Sequence, residues 1–163
     1  TFYTQKTQIQ SPIVDLPPDI NNEPIFGKRL RFFNKSGNPQ TKFLLREKWK
    51  VRLEFELIEQ LPHVISALGF NTSEGFPVLT YWSEPNDLTP GEYSVDFEMN
   101  VPLSACQISF VVGLSSREDT IYYKENVGNV TISEIAKGEQ PYQSIGSGIL
   151  ITKMRNKIVR LNT

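Results

Sequence analysis

The chain has 163 residues with 17 Lys and Arg against 18 Asp and Glu, a net charge of -1, and it is 39% hydrophobic and 21% charged. That length suits one domain with a sizeable core, and the balanced charge offers no basic surplus for nucleic acid or an acidic membrane surface. A single cysteine, Cys106, excludes an internal disulfide and fits a reducing compartment, and no apolar run approaches the ~20 residues that span a bilayer.

Residues 1–24 read as a linker or an extended edge segment. Pro12, Pro17, Pro18 and Pro24 punctuate short apolar pieces such as "PIVDL". The first residues lack the basic start and apolar stretch of a signal peptide. With no initiator Met, the chain is expected to be a piece of a longer protein.

Strand follows strand from Ile25. "IFGKRLRFFN" runs into the turn signal "KSGNP". In "EKWKVRLEFELIE", Trp49, Val51, Leu53, Phe55 and Leu57 alternate with charged residues, so one face is buried and the other solvated. A helix would spread those charges all round its surface. "LIEQLPHVISAL" has helix-like spacing, but Pro62 interrupts it. "HVISALGFN", "FPVLTYW", "EYSVDFEMN", "CQISFVVGL", "DTIYYKE" and "NVTISEI" follow as further strands, separated by turns such as "TSEG" and "LTPG". Turns recurring about every 8–12 residues with no long helix predict an all-β fold, an antiparallel β-sandwich over residues 25–163. The segment Gly146-Ser147-Gly148 forms a joint before "ILITK" and "KIVRL". Residues 148–163 are therefore expected either to make a C-terminal edge hairpin or to exchange strands in a dimer.

Catalytic signals are thin. His63 is the only histidine, and Cys106 opens an apolar strand where a thiol is ordinarily a small hydrophobe. There is no Cys/His cluster, no Asp-rich calcium loop and no phosphate-cradling glycine motif, so no metal or cofactor is expected. The pairs Glu54/Glu56 and Asp96/Glu98 meet the residue requirement of a glycosidase, but a solvated sheet face explains them more simply. Three N-x-S/T triplets, at Asn34, Asn71 and Asn129, are within what chance produces in this composition.

Two strands differ from the rest. With Leu68 and Phe70 inward, Ala67, Gly69 and Asn71 face out. With Ile108, Phe110, Val112 and Leu114 inward, Ser109, Val111, Gly113 and Ser115 face out. A floor of small residues leaves room for a groove, although a covering loop would also explain it. Aromatic planes suit the apolar faces of sugar rings, and Asn, Asp and Arg suit their hydroxyls. Candidate carbohydrate contacts are Asn71, Tyr81, Trp82, Ser109, Arg117, Asp119 and Tyr123. Tyr122 is next to Tyr123 in a strand, so one of the two is expected to face the core.

The motifs "IFGKRLRFFNKSGNPQTKFLLREKWKVRLEFEL", "HVISALGFNTSEGFPVLTYWSE" and "LTPGEYSVDFEMNVPLSACQISFVVGLSS" resemble, over about residues 25–135, the C-terminal domain of Wzt proteins. These are the ATP-binding subunits of ABC transporters that export O-antigen polysaccharide. The resemblance implies an immunoglobulin-like or jelly-roll sandwich without enzymatic activity. It also implies binding of the non-reducing polysaccharide terminus, substrate specificity for an exporter, a homodimer, and a place at the cytoplasmic face of the bacterial inner membrane. The ATPase would lie upstream of Thr1. The alternative is a structural or adhesive sandwich that contacts protein through its edge strands.

Overall fold

The computed structural model describes residues 10–18, 21–104 and 106–136. The proposed Gly146–Gly148 joint and the strands of 148–163 lie outside the described residues, as does the start of the lead-in. The described chain forms ten strands: β1 (Ile13–Asp15), β2 (Ile25–Asn34), β3 (Lys42–Leu45), β4 (Trp49–Leu57), β5 (Leu61–Thr72), β6 (Pro77–Trp82), β7 (Asn86–Leu88), β8 (Gly91–Met99), β9 (Cys106–Ser116) and β10 (Asp119–Ala136). No described helix is long and apolar enough to cross a membrane.

The strands form two sheets, one in the order β1-β2-β4-β8 and one in the order β3-β10-β9-β5-β6, with β7 also paired to β5. The pairing is antiparallel except that β3 runs parallel to β10. The all-β sandwich expected from the sequence is therefore present, with one parallel pair that the local turn signals did not announce. It arises because β3 leaves β2 and joins the opposite sheet.

Alternation decides what is buried. Val51, Leu53 and Phe55 of β4 and Leu30 and Phe32 of β2 meet Leu68, Phe70, Phe110, Val112 and Leu114 from the second sheet. Phe32 stacks on Phe110 at 5.0 Å between ring centroids, and Trp49 stacks on Phe43 at 4.3 Å. Trp49 is thus a core residue, as its parity requires. Pro62 does not break a helix. It sits near the start of β5, where a strand tolerates a missing N–H.

Residues 13–15 pair with β2 as an edge strand, the second of the two readings given for the lead-in. Two local features depart from the sequence reading. The turn-like segment after Trp82 contains β7. "DTIYYKE" and "NVTISEI" are not separate strands but parts of β10, whose register against β9 shifts between Lys124 and Val127 and again between Val127 and Asn129. Asn126 and Gly128 take left-handed conformations there, with φ of 55° and 69°. The signal "ENVGN" is therefore absorbed as bulges within a continuous strand rather than as a turn. A Cβ at Gly128 would lie 2.9 Å from Cζ of buried Phe32, so close packing as well as φ selects glycine.

Candidate functional site

The outer faces of the two sheets are built from different chemistry. The four-stranded sheet is covered by alternating charges. Arg31 Nε lies 2.7 Å from Glu54 and Arg29 Nε 3.3 Å from the same carboxylate. Arg52 Nε lies 2.7 Å and Lys50 Nζ 3.2 Å from Asp96. Lys28 bridges Glu56 and Glu92. These neighbours arise from cross-strand register: Arg52 stands opposite both Arg31 and Asp96. The hydrogen bond from Arg52 holds the Asp96 carboxyl below its usual range, with Lys50 adding to the effect. A general acid needs the opposite shift, so Asp96 does not suit that role, while Glu54 and Glu56 are held in ion pairs with Arg29, Arg31 and Lys28 on the same face.

The six-stranded sheet bears a groove of about 530 Å³, within the ~300–1,000 Å³ usual for small-ligand sites. Its floor is made by Ala67, Gly69 and Asn71 of β5 with Val111, Gly113 and Ser115 of β9. One ladder row crosses four strands. Ala67 pairs with Trp82 on one side and Gly113 on the other, and Gly113 pairs with Tyr123. Directly opposed residues share a face, so the row runs aromatic, small, small, aromatic. At ~4.8 Å per strand spacing, Trp82 and Tyr123 stand roughly 14 Å apart. Both are large exposed aromatics, Trp82 at 69% and Tyr123 at 55%. A Cβ at Gly113 would meet Ala67 Cβ at 3.6 Å, ordinary contact, and the space above it belongs to the groove.

The groove's polar groups come from both walls and from one end. Tyr123 donates its hydroxyl to Glu125 Oε1 at 2.8 Å, and that bond pushes the phenol pKa up. Tyr123 therefore stays neutral around pH 7 and presents a ring face. Glu125 and Asn126 reach the groove from the β10 bulge, Thr80 from β6, and Thr120 from the start of β10. Bulges commonly re-aim side chains in this way. Sequence parity alone overlooked Glu125 and Asn126, because a register shift breaks the count of two on which parity rests. The clustered turn residues "ENVGN" inside a strand were the available signal.

The residues expected from sequence divide. Asn71, Trp82 and Tyr123 line the groove. Ser109 pairs with Asn71 and Asn129, on the same face but just beyond the lining. Tyr81 is not at the groove. It pairs with Leu68, faces the interior and lies 6.3 Å from Phe97 of the opposite sheet. Its buried hydroxyl has no hydrogen-bond partner among the described residues, and burial pushes its pKa up. Arg117 and Asp119 stand at the exposed β9–β10 hairpin tip, outside the lining, because the turn carries them past Ser115 and Thr120. Arg117 takes φ of 54°, and its amide bonds the His63 carbonyl. Tyr122 is the inward member of its pair, 3% exposed, and donates its hydroxyl to the Pro17 carbonyl.

Among the described residues the groove assembles no nucleophile or metal device. Among the described residues Glu125 is the one carboxylate in the lining, whereas the two-carboxylate scheme of glycoside hydrolysis needs a pair. Cys106 lies on the core side, and burial, with Glu74 nearby, pushes its thiol pKa up, opposite to an activated thiolate. Among the described residues no group of three His, Cys, Asp or Glu side chains is placed to hold a metal ion.

No family model matches the chain, and no curated relative matches it. Among solved structures, the C-terminal domain of Wzt is similar with a TM-score of 0.71, over 84% of this chain and 85% of that one, at 9% sequence identity. A β-glucosidase from Listeria innocua in complex with glucose is similar with a TM-score of 0.42 and 13% identity, over 68% of this chain and 17% of that one.

Proposed function

We propose that this chain, which has the fold of the C-terminal domain of Wzt, is a non-catalytic carbohydrate-recognition domain. It holds the non-reducing terminus of O-antigen polysaccharide and confers substrate specificity on an ABC exporter. In this reading it works as a homodimer, without a cofactor, within a protein whose ATPase part lies upstream. The place of action is the cytoplasmic face of the bacterial inner membrane. The motif resemblance supports these finer points, and the shared fold supports the architecture.

The observation that carries the reading is the row Trp82–Ala67–Gly113–Tyr123. Two exposed rings flank a floor with almost no side-chain volume, which lets a saccharide lie flat on the sheet. Sugar C–H faces pack against Trp82 and Tyr123. Hydroxyls reach Asn71, Thr80, Ser115 and Glu125, which supply donors and acceptors in different directions. The mechanism is selective retention: a chain whose terminal unit fits the groove stays bound long enough to be presented for export.

Contact with protein through sheet edges is the weaker reading. β8, an edge strand among the described residues, carries Glu92, Asp96 and Glu98 on its outward face, and charges on an edge oppose pairing with another chain. In the other sheet, the edge beside β5 is split into β6 and β7 by residues 83–85.

The test is a titration of the purified domain with the O polysaccharide of its source strain, followed by calorimetry and tryptophan emission. A parallel sample has its non-reducing terminal unit removed. Binding confined to the intact terminus is expected. Equal binding of both samples would remove end recognition, and a folded domain that binds neither would overturn the sugar reading.

A further inference from the structure

The charge of the groove narrows its ligand. Its described lining contains one acidic side chain, the carboxylate of Glu125, and no Lys or Arg. The nearby cations among the described residues are accounted for. Lys124, between Tyr123 and Glu125, turns away, with its Nζ 5.3 Å over the ring of buried Tyr122. Arg117 sits at the hairpin tip outside the lining, followed by Glu118 and Asp119. The rest of the lining that faces the groove is small, apolar or neutral: Val111 and Pro77 beside Asn71, Thr80 and Ser115. Sites that hold phosphate or carboxylate groups present guanidinium, ammonium or clustered backbone N–H donors, and the two aromatic walls supply none of these.

We infer that the groove selects an uncharged terminal sugar and discriminates against termini that carry a phosphate or carboxylate. This rests on the reading of the groove as the sugar site. Glu125 accepts a hydroxyl from a neutral sugar, whereas an anionic group would meet a like charge across a partly desolvated floor. The apolar part of the lining suits a deoxy, O-methyl or N-acetyl group, which buries carbon without an ionic partner.

The experiment uses the whole 163-residue chain. The probes are methyl glycosides of mannose, rhamnose and N-acetylglucosamine, set against methyl glucuronide and mannose 6-phosphate. Binding is followed by nitrogen–proton correlation spectra, read at the Trp82 indole and the Gly113 amide. At least one neutral glycoside is expected to bind about tenfold or more tightly than either anionic sugar, equivalent to ~1.4 kcal/mol. Glu125→Gln keeps an acceptor for the Tyr123 hydroxyl and removes the charge, so it is expected to narrow that gap by strengthening the anionic probes. An anionic sugar that binds as well as the neutral ones overturns the inference and leaves the sugar site standing, as does a gap unchanged in Glu125→Gln. If no sugar perturbs either resonance, the sugar reading and this inference fall together.

Discussion

Tyr81 and Trp82 are neighbours in β6, and the strand turns them to opposite faces. Trp82 contributes little to the fold, since most of its surface is already in water. Trp82→Ala is expected to weaken polysaccharide binding about 10–100-fold, or ~1.4–2.8 kcal/mol. Unfolding in urea is expected to stay within about 0.5 kcal/mol of the parent. Tyr81→Phe is the matched control. It removes a buried hydroxyl that has no partner among the described residues, so stability should be unchanged or higher by up to ~1 kcal/mol, with binding intact. A loss of binding in Tyr81→Phe at unchanged stability would put Tyr81 back in the site. The sequence offered both residues as candidate contacts but could not say which faced out, because an isolated aromatic pair fits either parity.

The element that shapes the groove is the β5–β9 pair, whose outward positions carry almost no side chain. Ala67 and Gly113 stand directly opposite each other, and Gly113 does not have the left-handed backbone that demands glycine. Its small size serves the space above it. Gly113→Leu is therefore expected to abolish binding by filling the floor while leaving the thermal midpoint unchanged or slightly raised, since leucine suits a strand better than glycine. Calorimetry and a melting curve on the same sample check both halves. A Gly113→Leu protein that binds normally would show that the sugar lies elsewhere. Gly128 differs: its positive φ and the approach of Phe32 make it a structural glycine that shapes the bulge carrying Glu125 and Asn126 toward the groove. The alternation within β5 and β9 was legible from sequence, and it correctly placed the small floor. The β10 bulge was not, because turn residues inside a strand read the same as turn residues between two strands.

At the scale of the whole molecule, the two outer faces divide the work. The charge lattice of the four-stranded sheet supports the sandwich, and its contribution depends on pH in a defined direction. Asp96 has a folded pKa below its ordinary value, chiefly through the Arg52 hydrogen bond. The stability it contributes is present above its unfolded pKa and is lost as pH falls through the folded one. Urea unfolding of the parent is expected to weaken below about pH 4, and Asp96→Asn should flatten that part of the profile while lowering stability at neutral pH. Because unfolding of a sandwich is cooperative, the effect reads out globally even though the group is half a molecule away from the groove. Sugar binding should not change in Asp96→Asn. An acid profile identical to the parent's would show that Asp96 makes no net contribution through its pair.

The sequence by itself determined the all-β class, the core parity of β4, β5, β8 and β9, and the small outward residues of the central strands. Each follows from a period of two read locally, and burial enforces that period wherever one face meets a core. Only the tertiary structure decided which strands became neighbours. It placed Trp82 and Tyr123, 41 positions apart in the numbering, on one row, carried β3 across to the other sheet, and aimed Glu125 and Asn126 into the groove through a bulge. It also removed Tyr81, Arg117 and Asp119 from the lining. The physical reason is that strand order and register come from long-range pairing and interior packing, and these depend on the whole set of contacts rather than on any one segment.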